Sequence, residues 1–455
     1  MSDMICPNNS SSCQHHFHAE DHKYFDNKST THLRDENEAD QTSNPVVGDG
    51  ILQGVQDVQD VQHLSNTMDH GYRRIIRNFT PSWFIITMST GVIAILLHQV
   101  PYHAYWLDII SYIFFVLNIV LFLLFTVVSC TRYILYPRLF LSVLRHPHQS
   151  LFLATYPVGL ATLINMIVLV CVPAWGQGMA IFAWVLWWIT SVLALTTCFH
   201  LTWVIMSNRR SELAEMTALY LIPIVAVVIA ATSGGLVASV LSNQEHRLWT
   251  VIISYIFWGI GTPLSWIILT VYFLRMTVHK PLEREVIVSL LLPIGPLSLS
   301  GFSLNVLGKV ARHSLLTTSA LTNTIHVGDI FYLVGLLASI ILWGFSIVWF
   351  VVAIIMISTA ASFPFNMGWW GFIFPVGVFT LLTISIGEEL ELKFFKVLSC
   401  VFTGICIVMW LVVAMRTVKR AATGKMFFAP CLGTDLFLKK GSSKNSKAGE
   451  GIKSV

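Results

Sequence analysis

The run Phe374-Pro375-Val376-Gly377, inside the apolar stretch Met367 to Glu388, holds the residues whose types and spacing can do work in a membrane. A proline within a span removes a backbone hydrogen bond and bends the helix. In a bilayer that break is tolerated only where protein or a water-filled cavity satisfies the freed carbonyl. This span is therefore expected to face the interior of a bundle. A bulky ring at such a bend is a candidate plug. Its chemistry is that of a steric barrier to permeation, with no bond made or broken.

Other chemistry is poorly supported. The chain has no HExxH, GxSxG or P-loop motif, and no paired His/Asp set suited to intramembrane proteolysis, so it is read as a non-enzyme. Cys13, His15, His16, His18 and His22 cluster near the start, but their spacing fits no closed tetrahedral metal site. They read as part of a solvated tail, and no metal or cofactor is expected. The eight cysteines are scattered, without a CxxC pair or an even framework. His200 sits in an outer span and reads as a packing histidine.

The elements that must position Phe374 are membrane spans. Hydrophobic residues make up 55% of the 455, charged residues only 11%, and the mean hydropathy is +0.69. Soluble domains carry roughly a quarter charged residues, so this is an all-α polytopic membrane protein. A span needs roughly 20 apolar residues. By that rule about ten spans fall near 82–98, 107–130, 150–172, 179–204, 217–241, 249–274, 284–308, 328–357, 369–387 and 394–415. Three segments result: a disordered N-terminal tail (1–78), a transmembrane transporter domain (79–418) and a disordered basic C-terminal tail (419–455). The N-terminus carries no cleavable signal, so the first span is expected to target the chain.

Loop charges orient the spans. Arg73, Arg74, Arg77, Arg132, Arg138, Arg145, Arg209, Arg210, Arg275, Lys280, Arg284, Arg416, Lys419, Arg420 and Lys425 share one side, whereas Arg247, Lys309, Arg312 and Lys393 lie on the other. The bias puts both termini in the cytosol. The basic loops are orientation signals, and no nucleic-acid partner is expected. The sequons at Asn8, Asn9, Asn27 and Asn78 then fall on the cytosolic side and are expected to be unused.

Prolines recur on alternate spans. Pro81, Pro157, Pro223, Pro293 (with Pro296) and Pro375 mark the odd spans near their cytosolic halves, whereas only Pro263 falls in an even span. A repeated hairpin explains this: one bent inner helix, then one straighter outer helix, five times around a central pore. The odd spans also carry small or hydroxyl residues, among them Thr90, Gly91, Gly159, Ser233, Gly234, Gly377 and Thr380. They are expected to line a wet lumen, the competing reading being close helix approach. No Asp, Glu, Lys or Arg lies in the middle of an odd span, whereas ion-coupled transporters usually keep one there. An uncharged lumen with broken helices suits an ion pathway.

The run RRIIRNFTPSWFIITMSTGVIAILLHQVPY, with ATYPVGLATLINM and FNMGWWGFIFPVGVFT, resembles the tellurite-resistance/dicarboxylate transporter family. That family includes fungal sulfite efflux pumps, plant slow anion channels and yeast malate permeases. The likeness covers residues 72–420 and is nearest to the sulfite branch, since malate permeases tend to carry Trp where this chain has Pro81. The resemblance implies ten helices in five hairpins with quasi-five-fold symmetry, the odd helices forming the pore. It also implies a homotrimer in the plasma membrane, a phenylalanine gate matching Phe374, and sulfite as the exported anion. Surrounding lipid is the other expected partner. A malate or dicarboxylate permease is the alternative within the family. A non-transporting receptor or scaffold is the alternative outside it.

Overall fold

The computed structural model describes residues 72–423 and 426, apart from 147, 208–212, 214–215, 280–286, 315–326 and 360–363. Ten helices in it are long and apolar enough to cross a bilayer. They are α1 (Pro81–Gln99), α2 (Tyr105–Leu135), α3 (Ser150–Trp175), α4 (Gln177–Met206), α5 (Ala218–Val240), α6 (Gln244–Val278), α7 (Ser289–His313), α8 (Val327–Thr359), α9 (Met367–Glu389) and α10 (Lys393–Ala422). Hydrocarbon offers the backbone no hydrogen-bond partner, so each segment satisfies its own polar groups as a helix. All ten expected spans are present, and no strand occurs among the described residues. Several helices outrun the apolar stretch that marks them. One continues past the expected edge at 308 to Ser314, bringing Lys309 and Arg312 into the helix. Glu388 and Glu389, expected beyond the ninth span, belong to its last turn.

Helix also reaches into both segments read as tails, at Tyr72–Asn78 and up to Ala422. Residues 1–71 and 427–455, with the Cys13–His22 cluster, lie outside the described residues.

Burial separates two classes of helix. In the odd spans 67–100% of the apolar window is buried, and in the even spans 22–39%. The odd helices pack in a closed order: α1 on α3, α3 on α5, α5 on α7, α7 on α9, and α9 back on α1. Each even helix packs on its own odd partner and on the next odd helix. The expected five hairpins around one axis are therefore present.

A repeated polar latch ties the outer helices to this ring. The indole N–H of Trp187 on α4 donates to the Ala230 carbonyl on α5 (2.8 Å). Trp258 on α6 donates to the Ser300 carbonyl on α7 (3.0 Å), and Trp343 on α8 to Thr383 Oγ1 on α9 (2.9 Å). Trp410 on α10 closes the circle by donating to Thr90 Oγ1 on α1 (3.1 Å). In the first hairpin Asn118 takes the same place, donating to Thr162 on α3 (3.3 Å). An indole is apolar over most of its surface and carries one donor, so it suits a helix that faces lipid on one side and a polar group on the other.

The prolines act differently from the expected helix bend. Each inner span opens with a 3-10 segment: Pro81–Trp83, Ser150–Ala154, Ala218–Leu221, Ile287–Leu291 and Met367–Phe372. An α-helix follows, with Pro157, Pro223, Pro296 and Pro375 in its first turn. There an N–H has no intrahelical partner, so the missing donor costs little. Pro81 instead begins the 3-10 segment itself, and Pro293 falls between the 3-10 and α segments. Side chains of neighbouring inner helices reach the 3-10 carbonyls. Thr155 donates to Pro81 O (3.1 Å) and Ser89 to Trp370 O (2.9 Å).

Candidate permeation pathway

The inward face of α9 is fixed from both sides. Phe379 packs on Trp343 and Phe350 of α8 and on Phe402 of α10, at ring distances of 5.8, 5.8 and 5.3 Å. Thr383 accepts the Trp343 latch. That is the outer face. Leu381, Ile384, Ser385 and Glu388 line a cavity among the inner helices, which marks the inner face. At 100° per residue, Phe374 lies about 140° from Phe379 and within about 20° of Leu381, roughly 10 Å along the axis. Phe374 thus shares the cavity-lining face, about two turns nearer the N-terminal end of α9, and is 2% exposed. Gly295 of α7 stands across from the following residue: a Cβ there would lie 3.9 Å from the Pro375 ring.

Around this level the ring carries no ionised side chain. From their first residues to the last two turns, the inner helices hold only apolar, hydroxyl, amide and glycine residues. Asn165 Oδ1, Ser233 Oγ and Ser303 Oγ, one each on α3, α5 and α7, are buried without a hydrogen-bond partner among the described residues. Such groups can solvate an ion weakly, with no fixed charge to trap it.

The far mouth differs. A cavity of about 190 Å³ opens where the C-terminal ends of α1, α5, α7 and α9 meet. Its polar lining is Gln99, Ser239, Lys309, Ser385 and Glu388. Lys309 pairs with Glu389, which also accepts the Tyr332 hydroxyl. Arg312 pairs with Asp329 (2.7 Å) and lies over the Tyr332 ring. Asn305 Nδ2 joins α7 to α9 through Ser385 Oγ (2.8 Å). At the α1–α2 turn Asp108 takes both His98 (3.0 Å) and His103 (2.7 Å). Sequence reasoning missed this mouth because it placed Lys309 and Glu388 outside the spans. The signal was present in the i, i+3, i+4, i+7 spacing of Leu381, Ile384, Ser385 and Glu388.

Several residues expected on the lumen have other neighbours. Thr90 Oγ1 accepts from Trp410 of an outer helix while donating to Ile86 O. Thr380 donates to Val376 O and hydrogen-bonds Cys406 of α10. A Cβ at Gly91 would lie 2.1 Å from Thr162 Oγ1, at Gly159 2.5 Å from Thr87 Oγ1, at Gly234 2.0 Å from Ser254 Oγ, and at Gly377 2.9 Å from Val92. These glycines let helices approach closely, the competing reading of the pattern. Ser233 keeps an unpartnered buried hydroxyl. Among the described residues no three His, Cys, Asp or Glu side chains come together as a metal site.

The model of the SLAC1 family, described as voltage-dependent anion channel, matches residues 78–418, which is the whole helical ring. The chain belongs to this family. Among SLAC1-family relatives, the sulfite efflux pump of Arthroderma benhamiae is 44% identical over 352 residues, covering 77% of this chain and 93% of that protein. The pump of Trichophyton rubrum is 43% identical over the same coverage. The malic acid transport protein of Schizosaccharomyces pombe is more distant, at 25% identity over 76% of this chain and 78% of its own. The resemblance read from the first, third and ninth spans therefore holds across the ring, and these two sulfite pumps are nearer than the malate relative.

Proposed function

We propose that this SLAC1-family protein exports sulfite across the plasma membrane and so confers sulfite resistance, with Phe374 as the gate of each pore. The observation that carries the reading is the closed ring of inner helices, uncharged through its middle, with one phenylalanine on the cavity-lining face of α9. The 44% identity to a sulfite efflux pump supports the choice of anion. Each unit charge crossing a membrane gains about 2.3 kcal/mol per 100 mV. With a negative cell interior an anion moves outward without a coupling ion, leaving the protein to supply selectivity and gating. The inner-helix N-terminal ends face the cytosolic entrance, where helix dipoles favour an anion. Ser233 and its neighbours solvate it weakly as it passes. The charge bias of the loops supports cytosolic termini. The family resemblance supports a homotrimer with one pore per subunit.

The test is sulfite release from sulfite-loaded cells that express or lack the chain, with malate uptake measured in parallel. Sulfite release and tolerance rise with expression if the reading is right. Malate uptake without sulfite release would favour a dicarboxylate permease, and normal sulfite release in cells lacking the chain would overturn the proposal.

A further inference from the structure

The cavity at the far mouth continues past Lys309. A second pocket of about 390 Å³ adjoins it and shares Ser239, Lys309 and Val310 as lining. Arg247 and His313 complete the lining, and among the described residues no carboxylate takes part in it. Few basic residues occur on this side of the chain, and two of the five Lys and Arg residues, Arg247 and Lys309, converge here. We propose that this pocket binds a small oxyanion on the exit path, an inference that rests on the anion-transport reading of the ring.

The electrostatics call for such a site. The C-terminal ends of the inner helices converge on the mouth, and each carries roughly half a negative charge. An anion that enters past favourable N-terminal ends therefore meets repulsion as it leaves. Glu388, which lines the inner cavity, adds to that repulsion. Cations placed just beyond offset both. Arg247 is anchored by Nε and Nη2 on the Leu241 carbonyl, which fixes the guanidinium plane and leaves Nη1 donors for a ligand. Lys309 is steered by its ion pair with Glu389. Arg312 is held away by Asp329 and Tyr332. His313 lies on the exposed final turn of α7 and adds a ring N–H. A planar guanidinium beside an ammonium matches an oxyanion with two or three oxygens better than a spherical halide.

Purified full-length protein, titrated with sodium sulfite at constant ionic strength and followed by tryptophan fluorescence, tests the site. Saturable binding is expected for the wild type. Arg247→Gln is expected to raise the half-saturation concentration about fivefold to tenfold, as loss of a charge-assisted hydrogen bond does. His313→Gln, at an exposed helix end, is the second variant and is expected to weaken binding about twofold to threefold at pH 6. Lys393→Gln, on the same side but outside the pocket, serves as the comparison and is expected to leave the titration unchanged. Unchanged titrations in both pocket variants would overturn the site, as would an equal weakening in Lys393→Gln, which would mean general surface charge. Sulfite flux through the same preparations separates the two proposals. Wild-type flux with unshifted binding in the variants removes the exit site alone. Shifted binding without wild-type sulfite flux removes the export reading while the pocket stands.

Discussion

The middle of the inner ring and its far mouth are built from the same ring of helices and differ in their chemistry. At the level of Phe374 the ring is packed with buried apolar side chains and bears no ionised group. Two to four turns further on, Gln99, Ser239, Lys309 and Glu388 surround an open cavity, with Glu389, Arg312 and Asp329 behind them. On the proposed reading, passage through the first region is limited by a ring in the way, and passage through the second by charge. A steric plug can open by a rotamer change and leaves no deep well behind, which suits throughput. A charged mouth can rank anions by size and valence.

The largest expected effect is at Phe374. Replacing it by Ala removes the ring without touching a charge, and anion conductance or leak should rise roughly tenfold, equivalent to about 1.4 kcal/mol of barrier. Voltage-clamp recording at matched surface expression checks this, and an unchanged conductance breaks the contrast between the regions. Next is Gly91→Val, which would drive a branched side chain into Thr162 and Asn118. Overpacking of this kind costs about 1–3 kcal/mol. A lowered melting temperature in detergent is expected, with loss of ring assembly, and a normal melting curve would show that α1 and α3 are not held as described.

Charge changes at the mouth should be smaller. Glu389→Gln releases Lys309 from its partner and should raise outward anion flux about twofold at low salt, the gain shrinking as salt screens the lysine. Lys309→Gln should lower flux by a similar factor. Equal and salt-independent changes in both would contradict an electrostatic mouth. Smallest is Trp343→Phe, which deletes one latch to Thr383 and should cost about 0.6 kcal/mol, the mean for such bonds between membrane helices.

How much could be read from the chain follows from which forces act locally. The spans were legible because apolar length is a property of consecutive residues. The alternation of inner and outer helices was legible because Pro157, Pro223 and Pro375 recur on odd spans alone. The position of each proline within its helix was not, since a 3-10 opening followed by an α-helix looks the same in sequence as a bent span. Nor was the direction of a small residue. Thr90 and Thr380 read as lumen residues from composition, yet Trp410 and Cys406 of α10 claim their hydroxyls. Those partners lie 320 and 26 positions away, and nothing local announces them.

The most direct measurement of the central claim is sulfite efflux from proteoliposomes under a valinomycin-clamped, inside-negative potential with no pH gradient. An uncharged pathway closed by one ring predicts outward sulfite flux that follows the potential and needs no proton. Flux that appears only with a pH gradient, or none above protein-free liposomes, would contradict it.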